Sequence, residues 1–456
     1  MAVLDTIYWK GEPLKLVIKF DKNNQYTVYS DKSYDSDSDN FIKEVNFNLS
    51  EGNSNVNPLG VAVSNSINMS LYDGNDYLSP ANKKSPYYGK VVNGVEMDLF
   101  ISYDGTTWEP YGTYYATSWS GGFEEGWHGL VSVSADDKLN TLGNMDLPEL
   151  PAYANVEAGD LIANVMNGIG VQPSEYTIDP SINKSMMFGI VAGNKVRDFL
   201  NNICQLLLAR VVIDRQNIIR FVPALSVYNN SNEITIGSEY TGTLVNKNNN
   251  NIDYNKVSVK YLEGGSISRG SLFRDSSHTL SVGSNTITDI TFNHRALSIE
   301  QVKILYDKNK YNGRIEGMNY RGYQNGIQLS INVTGEDILE CDLIGEGLLI
   351  STTDRYITLD INNSTIVGGR TYEFDTKQMM TSSVAKNIAN ELRDYISIIS
   401  RNIIMNGTAL TPKLYIGDKV VISGTDTLYD GTYKVVGMNI VFGENYSMDL
   451  TMIRVS

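Results

Sequence analysis

Apolar and polar side chains alternate through residues 61–120, and turn signals cut the run into short pieces. Over 66–72, Ile67, Met69 and Leu71 fall on one side, with Asn68 and Ser70 on the other. Over 95–102, Val95, Met97, Leu99 and Ile101 oppose Glu96 and Asp98. Successive side chains of an extended strand point to opposite faces, so this period of two predicts strands with one face buried. Asp73-Gly74, Asn93-Gly94 and Asp104-Gly105 supply the positive φ values that tight turns need. The segment therefore predicts consecutive antiparallel strands of a barrel or sandwich.

The pattern extends in both directions. Residues 3–10, 14–20 and 25–29 read as strands, and 30–40 as a polar, acidic link, so 1–40 forms an N-terminal unit. Ile42, Val45, Phe47 and Leu49 alternate at the start of a first barrel over 41–150, which ends at Pro148-Glu149-Leu150-Pro151. Residues 151–225 change character. Leu161, Ile162, Val165, Met166 and Ile169 recur at helical spacing, as do Val196, Phe199, Leu200, Ile203 and Leu207. Two strands follow, 209–214 and 218–223, which makes this a small α/β domain.

Residues 226–380 read as a second β-barrel region, with strands at 255–262, 282–290, 327–333 and 356–359. Long polar loops are predicted at 264–277 and 308–325, and a short helix at 296–307. A long helix is predicted over 381–405, capped by Thr381 or Ser382 and closed by Asn406-Gly407. Strands in 411–424, 431–442 and 445–455 complete a final unit, 381–456. The predicted class is mainly β with α+β portions: two antiparallel β-barrel domains, a small α/β domain between them, and one long helix before a C-terminal β-hairpin.

Composition narrows the function. A chain of 456 residues holds about three or four domains. With 39 Gly, 29 Tyr and only 20% charged residues, it suits a turn-rich β protein rather than a coiled coil or a disordered chain. The net charge of −15 argues against a nucleic-acid-binding surface, which needs clustered Lys and Arg. Cys204 and Cys341 are isolated, form no disulfide framework, and are expected to be reduced. No run approaches the ~20 apolar residues that span a bilayer. The start, MAVLDTIYWKGEP, lacks the cationic and apolar regions of a signal peptide, so synthesis and retention in a cytoplasm are expected unless the chain leaves within a larger particle.

Candidate chemistry is sparse. Asp35, Asp37 and Asp39 have calcium-loop spacing, but Asn40 and Asn46 stand where the loop needs Gly and Glu, so a solvated loop is expected. Trp108, Trp119 and Trp127 could form a sugar platform, though at strand spacing packing is the simpler role. His128 beside Glu124 and Glu125 reads as part of a solvated loop, and Asp214-Arg215 as a turn between strands. His278 and His294 lack metal-ligand spacing, and Gly417-Asp418-Lys419 lacks the glycines of a phosphate loop. No catalytic, cofactor-binding or metal-binding residue is predicted, no cofactor is implied, and the chain is not expected to be an enzyme.

A series of motifs carries a resemblance. In order they are Asp76-Tyr77-Leu78-Ser79-Pro80, Pro86-Tyr87-Tyr88-Gly89-Lys90, Tyr103-Asp104-Gly105, Tyr111-Gly112-Thr113-Tyr114-Tyr115, and LVSVSADDKL at 130–139. Pro412-Lys413-Leu414-Tyr415-Ile416-Gly417-Asp418 and Gly431-Thr432-Tyr433-Lys434-Val435 follow near the C-terminus. Together they resemble the baseplate hub proteins at the tip of phage tails, those of contractile tails and of related tail-like bacteriocins. The resemblance covers residues 40–225 and 370–456 and is weakest over 1–35 and 264–330.

It implies a homotrimeric structural virion protein with two barrels per subunit similar to the tail-tube subunit. Such a hub joins the hexameric tail tube protein to the threefold central spike protein and touches other baseplate proteins. It also surrounds the channel for tape measure and DNA, which passes without specific binding. The acidic balance suits such a wall and suits plain solubility as well. The implied location is the tail tip of a virion, after synthesis in the bacterial host cytoplasm. Two alternatives remain: the hub-like front part of a non-contractile tail tip protein, and an extracellular carbohydrate-binding or carbohydrate-cleaving β protein. The last needs a close carboxylate pair on a rigid cleft. The end at Ser456, just after a barrel-closing strand, favours a stand-alone hub.

Overall fold

A computed structural model describes residues 7–9, 12–20, 26–29, 40–50, 62, 64–73, 76–79, 81–85, 87–89, 91–102, 104, 106–123, 129–147, 153–189, 195–224, 226, 229–236, 243–246, 254–292, 296–322, 326–361, 370–399, 402–406, 413–424, 429–443 and 447–455. These residues form 26 strands and four α-helices: α1 (Lys138–Asn144), α2 (Ala158–Gly168), α3 (Val196–Leu207) and α4 (Ser382–Ile399). The fold is mainly β with α+β portions, as the alternation predicts.

The alternating segment becomes a barrel wall. Ser66–Asp73 pairs antiparallel with Asn40–Ser50 on one side and Gly129–Asp136 on the other. The wall continues through Glu109–Phe123, Glu96–Ser102 and Glu12–Phe20. Tyr26–Tyr29 then links Glu12–Phe20 back to Asn40–Ser50 through the pair Tyr29 and Phe41, which closes the ring of strands. Ring closure reduces the free edge that such a sheet would otherwise present, leaving the far half of Asn40–Ser50 for another partner. Ile67, Met69, Leu71, Met97, Leu99 and Ile101 all point inward and are at most 3% exposed. Burying each contributes roughly 1.5–3 kcal/mol.

The sheet does not stop at the barrel. The far half of Asn40–Ser50 pairs with Gly431–Phe442. Ser447–Arg454, Asn402–Asn406 and Thr243–Asn246 follow on one side of that strand. Asp418–Ile422 and then Asn229–Ile236 lie on its other side. The C-terminal strands thus belong to one 14-stranded sheet with the N-terminal barrel. Leu414, Tyr433, Val435 and Leu450 share a continuous core with Ile67 and Leu99.

Between these parts, α2 and α3 accompany a three-stranded sheet with Ile219–Pro223 at its centre. Tyr176–Ile178 joins that strand in parallel and Ala209–Ile213 antiparallel. Leu161, Ile162, Val165 and Met166 are fully buried, as the helical spacing predicts. This core runs on into α4, whose Ala385, Ile388, Ala389 and Leu392 pack with Val257, Val259 and Tyr261. A third core lies between the outer halves of Tyr254–Leu280 and Ile338–Asp360 and a sheet of Gly283–Thr291, Gly326–Thr334 and Arg314–Gly322.

Four sequence expectations are corrected. The loop expected at 264–277 lies within the 27-residue strand Tyr254–Leu280, paired with Ile338–Asp360. None of its residues 264–271 is buried, so no apolar alternation marks them. The loop expected at 308–325 contains the strand Arg314–Gly322. The helix expected at 296–307 is the strand Ala296–Leu305. A bulge between Ile299 and Gln301 shifts the alternation by one residue, and a shifted period of two mimics helical spacing. Finally, α4 ends at Ile399, and Asn402–Asn406 is a strand paired on both sides.

Candidate functional site

The residues weighed for chemistry do not converge. Asp35, Asp37, Asp39, Glu124, Glu125, Trp127, His128 and His294 lie outside the described residues. Trp119 is bound to the protein itself, since its Nε1 donates to Val92 O at 3.2 Å. Asp214 is a turn residue: its Oδ1 accepts from the N–H groups of Gln216 and Ile218, both at 2.9 Å, and its Oδ2 pairs with Arg220. Gly417 has φ of 86°, and the buried Asp418 carboxylate accepts from Tyr415 N at 2.7 Å, so this segment is a tight turn. No group of three or more His, Cys, Asp or Glu able to hold a metal occurs among the described residues. No described helix is long and apolar enough to cross a membrane.

One pairing went unseen in the sequence. His278 is the cross-strand partner of Cys341, and its Nε2 lies 2.5 Å from Asp275 Oδ2. Thiol, imidazole and carboxylate are the parts of a cysteine nucleophile. Burial, with the Asp342 charge beside it, instead pushes the Cys341 thiol up to about 11. Cys341 is only 3% exposed. A buried, protonated thiol is inert.

The surfaces are more informative. Described residues 76–79 and 81–85 of the connection between Ser66–Asp73 and Glu96–Ser102 are tied to one end of the barrel. The buried carboxylate of Asp73 accepts from Tyr77 N at 2.8 Å and Leu78 N at 2.6 Å. Such charge-assisted bonds hold a loop strongly. Ser85 Oγ donates to Tyr77 O and accepts from Tyr87 N, and the Tyr77 and Tyr87 rings lie 6.4 Å apart. Leu78 and Val91 anchor the loop in the barrel core. Outward it displays Lys83 and Lys84, with Tyr88 49% and Val92 48% exposed. Asp73 was legible only as a turn residue, and no signal singled out Ser85.

At the other end of the barrel, the α/β unit is clamped to the wall. The Arg215 guanidinium lies over two rings, 5.0 Å from Tyr111 and 4.7 Å from Tyr415. It also donates to Lys413 O at 3.0 Å and Leu414 O at 3.2 Å. Tyr111 meets Phe47 edge-on at 5.1 Å and Tyr415 at 6.0 Å. Asp137 caps α1 by accepting from Leu139 N at 3.0 Å, and it accepts from Asn65 N at 2.8 Å. Burial pushes its carboxyl up to about 7, against the pull of those two amides.

Elsewhere, α3 and Arg370–Met379 border an open cleft of about 520 Å³. Asp198, Asn201, Gln205, Glu373, Asp375 and Lys377 line it. Asn202 Nδ2 donates to Asp375 O at 3.2 Å and ties helix to strand across its floor.

No protein-family model matches the chain, and no curated protein matches it in sequence. Solved structures do match. The 43 kDa tail protein of prophage MuSo2 from Shewanella oneidensis aligns with a TM-score of 0.54 at 9% identity, over 97% of this chain and 98% of that one. A tail protein from Neisseria meningitidis aligns with a TM-score of 0.53 at 8% identity, over 97% of this chain and 96% of that one. The chain has the fold of these phage tail proteins. The tail-protein fold extends over nearly the whole chain, including most of 264–330, where sequence resemblance is weakest. A wall of alternating strands accepts any apolar side chain that fills its inner face. A tail-protein fold can therefore persist at 9% identity.

Proposed function

We propose that this protein is a structural component of a phage tail, built as a homotrimeric baseplate hub. In this reading the barrel centred on 41–150 and the β-rich region of 226–456 act as two tube-like units, joined by the α/β domain of 151–225. Three subunits then offer six such units to the hexameric tail tube and threefold symmetry to the central spike. The channel they surround passes tape measure and DNA. Fold alone does not fix function. The observation that carries the reading is the near end-to-end likeness to two tail proteins, 97% of this chain in each case. The motif order along the sequence and the net charge of −15 support it.

The test is the mass of the purified full chain by light scattering, with particle images of the same peak. A species near three times 50.6 kDa, seen as a threefold ring with an open centre, is expected. A chain that remains monomeric at every concentration, alone and with its spike partner, overturns the hub.

A further inference from the structure

We propose that the loop of residues 81–92 of one subunit docks into the cleft between α3 and Arg370–Met379 of the next copy of this chain. The inference rests on the homotrimer reading and names the surfaces that would close the ring.

The first observation is charge. Residues 81–92 read ANKKSPYYGKVV, with three Lys and no Asp or Glu, in a chain of net charge −15. Lys83 and Lys84 are exposed, and no carboxylate of the described residues pairs with either ammonium. The cleft leans to the opposite sign: Asp198, Glu373 and Asp375 line it against Lys377, and Lys260, 3.8 Å from Asp375, is shared with Asp354. Complementary fields of this kind steer partners and fix their register.

The second observation is shape. The loop is pre-ordered by Asp73 and Ser85, so docking costs little conformational entropy. Tyr88 and Val92 are among the few large apolar side chains left exposed. A tyrosine suits a polar cleft, because its ring packs while its hydroxyl finds a partner.

The third observation is position. The loop follows Asp73 at one end of Ser66–Asp73. The cleft lies beyond the other end, where Asn201 Oδ1 accepts from Ala62 N. Seven steps of an antiparallel strand separate those ends by about 23 Å. Tyr77 and Ser85 are held near the Asp73 end, away from the cleft, and the two surfaces can meet head to tail between copies. Unlike surfaces that meet in this way generate a closed ring when the rotation permits.

The experiment compares the full chain with three variants by light scattering across a concentration series, with circular dichroism to verify folding. Lys83→Glu with Lys84→Glu is expected to weaken association about a hundredfold, because like charges then face each other. Glu373→Lys with Asp375→Lys is expected to do the same. Combining all four substitutions restores opposite signs and is expected to restore the wild-type mass. A loop variant that associates as well as wild type overturns the inference and leaves the trimer standing. A combined variant that stays dissociated, although folded, overturns it as well. A wild-type chain that never associates removes the trimer and this contact together.

Discussion

The guanidinium of Arg215 sits 4.7 Å from the ring centre of Tyr415 and 5.0 Å from that of Tyr111. One side chain of the α/β unit thus grips Tyr111 of the barrel wall and Tyr415 of the turn before Asp418–Ile422. Arg215→Ala is expected to destabilise the protein by about 2–3 kcal/mol, from two cation–π contacts and two hydrogen bonds. Arg215→Lys is expected to recover less than half of that, because an ammonium cannot cover two rings and two carbonyls together. Denaturant unfolding of the three proteins checks both.

Asp137 makes stability depend on pH. Its carboxyl is raised to about 7 in the folded chain by burial, against about 3.9 when unfolded. The folded state therefore holds the proton more tightly. The stabilisation is complete below pH ~4 and is lost as pH rises through ~7. Asp137→Asn should lose this pH dependence between pH 4 and 8, although at every pH it forfeits one of the two amide contacts, since an amide nitrogen cannot accept from Leu139 N or Asn65 N. Thermal melts of both proteins across that range decide; parallel pH profiles would refute the assignment.

Two glycines on one strand should respond differently. A Cβ at Gly345 would fall 2.0 Å from Phe273 Cε1, whereas one at Gly347 would fall 2.0 Å from Ser298 O. A ring can be shortened but a backbone carbonyl cannot. Each Gly→Ala change is expected to cost about 1–3 kcal/mol or more. Adding Phe273→Leu should rescue Gly345→Ala and leave Gly347→Ala unrelieved, as read by melting temperature.

Asp73→Ala removes the acceptor for the N–H groups of Tyr77 and Leu78. The expected cost is about 1–3 kcal/mol for the stranded donors. Hydrogen exchange should show those two amides losing protection while the inner amides of Gly129–Asp136 keep theirs.

The barrel was legible because Ile67, Met69 and Leu71 each meet the same core at a strict period of two. The helices α2 and α3 were legible for the matching reason at helical spacing. Residues 264–271 were not, since a stretch with no buried side chain imposes no pattern. Residues 296–305 misled because two register shifts, at Ala296/Ser298 and Ile299/Gln301, turn alternation into helical spacing. The strand Asn402–Asn406 was hidden because its pairing comes from Thr243–Asn246 and Ser447–Arg454, far away in sequence. The clamp was hidden for the same reason: Arg215 reads as a turn residue until Tyr111 and Tyr415 are brought to it.

The pairing of Asn40–Ser50 with Gly431–Phe442 bears on how the protein is made. A ribosome delivers residue 50 long before residue 431. Throughout that interval the nascent chain holds a strand whose second neighbour does not yet exist. The first barrel can close upon itself, yet this strip of its wall stays bare until translation is nearly complete. Fragments released early keep that strip uncovered and are prone to stick to one another through it. Only a finished chain can seal its own beginning.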